Sequence, residues 1–249
     1  MQTETEPLEG ETVDARLNRY RVFDEVNAPY IAWQLDQFRP FLGARILEVG
    51  CGVGSVLAQL GDRELLMGVD VEQDILDFAR SRFNGHARYE FAHLDVAALN
   101  ESQLADLKQH RFDTVVCINV LEHVPDDERA MNAMADILVP GGTLNLLVPA
   151  HPMLYGPYDK MEGHFRRYTR KRLRELVSKA GLEAIRLYHF NAVGAAGWWV
   201  QYRLLRRQIH QQTHFQTIQR MLPALKAVES RLRPPFGLSL VAIARKPNR

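Results

Sequence analysis

The residues with the most evident chemistry are a glycine turn and three acids. Glu48-Val49-Gly50-Cys51-Gly52-Val53-Gly54 stands at the C-terminal end of an apolar run at 44–49 (ARILEV) and is expected to open a helix. Glycines at such a place let the chain turn tightly, adopt positive φ and bring bare backbone against a ligand. Asp70 closes a second apolar run at 65–70 (LLMGVD) and stands 20 residues beyond Gly50. In a doubly wound sheet this spacing sets a carboxylate beside the glycine turn, where it accepts hydrogen bonds from both hydroxyls of a ribose. Asp95, in His93-Leu94-Asp95-Val96, follows a third run. A carboxylate there can accept the exocyclic amine of adenine, with Val71 and Val96 on either side of the ring. The plainer alternatives are a tight turn, an exposed helix cap and a solvated loop acid.

A second cluster lies farther on: His151, Tyr155, Tyr158, Asp159, His164, Arg166, Arg167 and Tyr168. His164 and Asp159 suit a general base and its orienter. His123 is a further base candidate, or equally a structural hydrogen-bonding group. Arg166 or Arg167 suits an anionic acceptor such as a phosphate or carboxylate, and His151, Tyr155, Tyr158 and Tyr168 join them as acceptor contacts. The alternative is a polar surface loop laced with salt bridges. A metal held by His151, Asp159 and His164 is conceivable, but nothing matches a compact ligand motif, and no metal is expected.

These residues need a scaffold, and the pattern supplies one. Candidate strands at 44–49, 65–70, 87–94, 112–119 and 143–148 alternate with segments of helical period. Such alternation predicts right-handed βαβ units and a mostly parallel, Rossmann-like doubly wound sheet. Two further strands are expected near 182–190 and 238–244, making seven. A helical segment should precede the sheet at about 15–41. Asp126 and Asp127 should cap one helix and Thr169 another. Loops after the strand ends gather at one edge of a parallel sheet, so residues 151–168 should wall or cover an acceptor pocket there.

The motifs ILEVGCGVGS, GVD, HLDV, FDTVVCINVLEHV and LVPGGTLNLLVPA, in that order, resemble the class I S-adenosylmethionine-dependent methyltransferase family over about residues 44–150. The resemblance implies S-adenosylmethionine as cofactor. It places Glu48 and the loop of Gly50, Gly52 and Gly54 at the methionine part, Asp70 at the ribose, Asp95 and Val96 at the adenine, and Asn119 with Val120 near the transferred methyl. A dinucleotide oxidoreductase also needs a glycine loop and a ribose acid, but its spacing is G-x-G-x-x-G. Here the spacing is G-x-G-x-G, and Glu48 would repel a pyrophosphate while suiting an ammonium and a sulfonium. Aminopropyl transfer and a non-catalytic cofactor-binding scaffold are the other rivals. Asn119-Val120-Leu121-Glu122 departs from the Asn-Pro-Pro-Tyr type of motif of family members acting on exocyclic or amide nitrogens, which points to oxygen. More loosely, HFRRYTRKRLRELVSKAGLE resembles bacterial methyltransferases of glycan pathways.

The chain has 249 residues, 46% hydrophobic and 24% charged, with a net charge of +1. That balance gives no general pull toward nucleic acid. Residues 1–13 are expected to be a disordered acidic tail and 14–249 a single domain: cofactor core 44–150, acceptor lid 151–168, helical insertion about 194–235. Gly197-Trp198-Trp199 should open a helix of that insertion, with Trp198 facing the acceptor. The insertion is basic, so capping the pocket, resting on an anionic membrane surface and forming a homodimer are all open uses. Cys51 and Cys117 lack CxxC spacing, and no run is apolar enough to span a membrane. The expected location is cytoplasmic, with a peripheral position at the inner membrane face as its variant. The expected acceptor is a small molecule or a lipid-linked one.

Overall fold

Runs that are apolar at nearly every position make strands covered on both faces. The computed structural model describes residues 13–199 and 235–248, with Lys226 and Glu229 between them. In it β1 (Arg45–Val49), β2 (Leu65–Asp70), β3 (Tyr89–His93), β4 (Thr114–Ile118), β5 (Thr143–Pro149), β6 (Glu183–Phe190) and β7 (Ser239–Arg245) form one sheet of order β3-β2-β1-β4-β5-β7-β6. Strands β1 to β5 pair in parallel, and β7 runs antiparallel between β5 and β6. The third and fourth strands are shorter than the strands expected at 87–94 and 112–119.

Period-two alternation divides the buried side chains between two layers. Leu47, Val49, Val115, Cys117, Leu144 and Leu146 pack on one face with Met131 and Met134 of α4 (Asp127–Ile137) and Leu173 and Leu176 of α6 (Arg170–Lys179). Ile46, Leu66, Val116 and Leu147 pack on the other with Trp33 and Leu35 of α1 (Val13–Asp36) and Leu76 of α2 (Gln73–Arg82). Helix α3 (Glu101–Gln109) begins with a reciprocal Asn100–Gln103 capping box. As expected, Asp126 caps α4 by accepting from the Arg129 N–H at 3.0 Å, and Thr169 caps α6 by accepting from Arg172 N–H at 3.1 Å. Asp127 is instead drawn into ion pairs with Arg166 and Arg172.

Two expectations change. The glycine turn does not open an α-helix: Gly54 takes φ +78, and only a single 3-10 turn, Leu57–Gln59, follows. Left-handed backbone at residue 54 interrupts the right-handed spiral a helix requires. Helix α7 (Ala192–Trp199) begins earlier than Gly197, because Asn191 Oδ1 accepts from the Gly194 N–H at 2.8 Å. Gly197 to Trp199 are thus the last residues described in the first part of the insertion, whose residues 200–234 other than Lys226 and Glu229, like the acidic tail up to residue 12, lie outside the described residues. No described helix is long and apolar enough to cross a membrane.

At the C-terminal edge of the sheet, β4, β5 and β6 are each followed by a non-glycine residue in the left-handed region. These are Asn119 (φ 53), His151 (φ 61) and Asn191 (φ 61). Such residues turn the chain sharply at the strand ends and occur preferentially at functional edges.

Candidate functional site

The glycine turn and Asp70 are joined directly. Gly52 N–H donates to Asp70 Oδ2 at 2.8 Å, while Val71 and Glu72 N–H groups donate to Oδ1 at 2.7 and 3.1 Å. Gly50 and Cys51 N–H groups both donate to Val69 O, which folds the turn back over the end of β2. A carboxylate has about four acceptor positions. Three are taken by backbone, so one remains on Oδ2, enough for one ribose hydroxyl rather than the two expected from spacing.

The three glycines differ in purpose. A Cβ on Gly50 would overlap the Val120 side chain, and one on Gly54 would overlap the Phe83 ring. Both glycines are therefore required by packing. A Cβ on Gly52 would meet nothing within 4 Å. Only Gly52 presents bare backbone to open space, beside the Asp70 carboxylate. Gly50→Ala and Gly54→Ala are accordingly expected to lower the melting temperature through steric overlap added to left-handed strain. Gly52→Ala should cost stability only the strain, about 1–2 kcal/mol, yet weaken S-adenosylhomocysteine binding in calorimetry.

The other residues of this half are placed as follows. Glu48 is buried at the end of β1 (4% exposed). Val71 is exposed and Val96 is buried in the core, so the two do not present equal walls to a ring. Asp95 is exposed, and its Oδ1 accepts from Ala97 N–H at 2.8 Å, holding a turn. Asn119 is exposed at its left-handed strand end, and Val120 packs on Gly50.

Residues 151–168 form a wall tied at both ends rather than a free lid. Ala150 and Tyr168 make a parallel bridge, His151 N–H donates to Tyr168 O, and Phe165 N–H donates to Glu122 O. This brings residues 164–167 against the 3-10 turn Leu121–His123 that follows β4. Within the wall Asp159, on the short helix α5 (Pro157–Met161), is wholly buried. Its Oδ1 accepts from Arg167 Nε at 2.7 Å and pairs with His164 Nδ1 at 3.0 Å, while Oδ2 accepts from Gly156 N–H. Burial works against the Asp159 charge, but the hydrogen bonds from His164 and Arg167 and the guanidinium charge hold its carboxyl below the ordinary range. The His164 ring meets the His123 ring edge to face, centroids 4.6 Å apart. Burial and the neighbouring His164 push His123 down to about 4, which makes it a weak base at neutral pH.

Several acceptor candidates are redirected inward. Arg167 is buried against Asp159, and Arg166 is held by Asp127 and by Pro125 O, so neither is a spare cation for an anionic acceptor. Tyr168 is 1% exposed, its hydroxyl shared between Leu121 O and Asp127. Tyr155 donates to His164 O and thereby braces the wall. Tyr158 is half-buried on α5. His151 stacks on His189 (centroids 4.8 Å, 1° between planes). The Trp198 side chain lies outside the described residues. Among the described residues, the group with metal-ligand spacing is Glu122, His123 and His164, whose donor atoms lie within 4.8 Å of one another. It differs from the group conceived from sequence in two of three members. Glu122, 1% exposed, was missed; its signal was an acid set between apolar Leu121 and Val124 directly after a strand.

A family model described as "Methyltransferase domain" matches residues 47–144. The ubiquinone biosynthesis O-methyltransferase of Paracidovorax citrulli is 33% identical over 129 residues, covering 50% of this chain and 51% of that protein. That of Alkalilimnicola ehrlichii is 37% identical over 101 residues, covering 40% and 39%. The chain thus spans about half the length of the curated relatives it matches. Among solved structures, a methyltransferase in complex with the Haloferax volcanii Trm112 methyltransferase activator superposes with TM-score 0.62 at 19% identity, covering 95% of this chain and 96% of that one. An S-adenosylmethionine-dependent methyltransferase from Mesorhizobium loti gives 0.58 at 18% identity, covering 89% and 98%. The N-methyltransferase NodS from Bradyrhizobium japonicum, in complex with S-adenosylhomocysteine, gives 0.55 at 16%, covering 88% and 86%. Strand order, the glycine turn tied to an acid at the tip of β2, and these likenesses converge: residues 47–144 match a methyltransferase domain, and the fold is the one these methyltransferases share.

Proposed function

We propose that the protein transfers a methyl group from S-adenosylmethionine to an oxygen of a small-molecule or lipid-linked acceptor. The observation that carries this is the Gly52–Asp70 cradle: open space over a bare glycine, bordered by a carboxylate with one acceptor position to spare. The residues present fit the cofactor, since that position suits a ribose hydroxyl and buried Glu48 places negative charge where a cationic ligand would be favoured. When bound, the cofactor supplies an electrophilic methyl on a sulfonium. A pyrophosphate is less well served, because the turn leads into no α-helix whose N-terminus would hold it.

The acceptor's proton is the task of the wall. Asp159 can only accept, so it fixes a proton on His164 Nδ1 and leaves Nε2 with the lone pair of a general base. Arg167 holds Asp159 in place from the buried side. A hydroxyl acceptor needs such a base, and the O-methyltransferase names of the curated relatives agree with oxygen. For a lipid-linked acceptor, contact with an anionic membrane surface through the basic insertion belongs to the same proposal.

Calorimetry with S-adenosylhomocysteine and NAD tests the cofactor half: the first should bind one per chain and the second should not. Saturation by NAD alone would reverse the assignment. In assays of host lipid and sugar extracts with radiolabelled S-adenosylmethionine, His164→Gln should lower turnover on the order of 10²–10⁴-fold with cofactor affinity unchanged. Full activity of that variant would remove His164 as base.

A further inference from the structure

Glu122 has an environment that the roles given so far do not use. It sits in the 3-10 turn after β4, and its Oε2 is buried with no hydrogen-bond partner among the described residues. A carboxylate oxygen of Glu122 and one ring nitrogen each of His123 and His164 lie within 4.8 Å of one another, a span that one water closes. Arg167, Asp159, Tyr168 and Cys117 are near enough to interact electrostatically with Glu122. Arg167 is already matched by Asp159. A bare carboxylate in this position is therefore expensive unless it shares a proton with its imidazole neighbours.

We propose that Glu122 receives the proton that His164 takes from the acceptor, and releases it to water beside His123. This rests on His164 being the base. As the acceptor oxygen gives up its proton in the transfer, the O–H bond breaks and an N–H bond forms at the free nitrogen of His164. That N–H then breaks as an O–H forms on the Glu122 carboxylate, and His164 returns neutral for the next turnover. The proton finally leaves from Glu122 to water beside His123, so nothing accumulates but the methylated product and the demethylated cofactor.

Burial raises the Glu122 carboxyl, against its own backbone N–H and the His164 and Arg167 charges, to about 7. A carboxyl raised in this way can take up a proton near neutral pH.

The test needs no identified acceptor. Carbon-13 NMR of the full-length protein saturated with S-adenosylhomocysteine should show the Glu122 carboxyl titrating near neutrality. The His164 ring signals should follow in two steps, which Glu122→Gln reduces to one. In the extract assay, Glu122→Gln should slow transfer by at least about tenfold and change its pH profile, with cofactor affinity retained. A Glu122 carbon that titrates below pH 5, or a one-step His164 titration in the unmodified protein, overturns the proposal. So does a shift of the Glu122 and histidine signals on adding magnesium or zinc alone, which would make the cluster a cation site. Undiminished transfer by His164→Gln would instead sink the assignment of the base itself. Uncoupled titrations with an inactive His164→Gln would sink only the role of Glu122.

Discussion

Asp159→Ala is expected to destabilise the protein by about 3–5 kcal/mol, a loss of roughly 6–20 °C in melting temperature for a chain of this size. The reason is the partner left behind. The Arg167 side chain is 3% exposed, and Asp159 is its carboxylate. Removing the acid takes the paired carboxylate from a buried guanidinium, releases His164 Nδ1 and leaves Gly156 N–H without its acceptor. The paired replacement Asp159→Leu with Arg167→Met should recover much of the stability, because two apolar groups leave no buried charge. It should not recover turnover, since nothing would then orient His164. Thermal denaturation of the two single variants and the double one separates the effects; additive losses would contradict the pairing. Because the Asp159 carboxyl lies below its unfolded value, its stabilisation is present above the ordinary carboxylate range. It should fade as the pH falls through the still lower folded value.

Asp70→Ala should weaken S-adenosylhomocysteine binding by about 1.5–3 kcal/mol for the one charge-assisted bond to a hydroxyl. A further loss should come from the turn itself, since three backbone N–H groups lose their acceptor. Asp70→Asn separates the parts. The amide keeps one accepting oxygen for the Val71 and Glu72 N–H groups, but turns an NH₂ toward Gly52 N–H. Folding should survive in this variant while affinity falls. Calorimetry and denaturation of both variants provide the readout, and unchanged affinity in Asp70→Ala would refute the role.

What the chain discloses in one dimension is what is decided locally. Apolar runs such as LLMGVD announce buried strands because every side chain in a covered strand must be apolar. Asp126 and Thr169 announce their helices because a cap bonds only three residues ahead. Even the Gly52–Asp70 link follows from strand order, since β1 and β2 are neighbours and their C-terminal ends coincide.

What was hidden depends on partners far along the chain. Gly54 reads like a ligand-facing glycine, but Phe83, at the end of α2, claims the space. Arg167 and Tyr168 read as acceptor contacts in a polar run, yet the bridge between Ala150 and Tyr168 turns both inward. Glu122 escaped for the converse reason. An acid beside a histidine and two acids reads as surface, whereas the returning chain at Phe165 covers it. His151 likewise found its partner, His189, across strands not adjacent in sequence.

A crystal structure of the protein with S-adenosylhomocysteine tests the central claim most directly. The expected result is a ribose hydroxyl within about 2.5–3.0 Å of Asp70 Oδ2, with the cofactor running over the bare face of Gly52. Adenosine seated anywhere else, or an Asp70 carboxylate turned away into solvent, would contradict it.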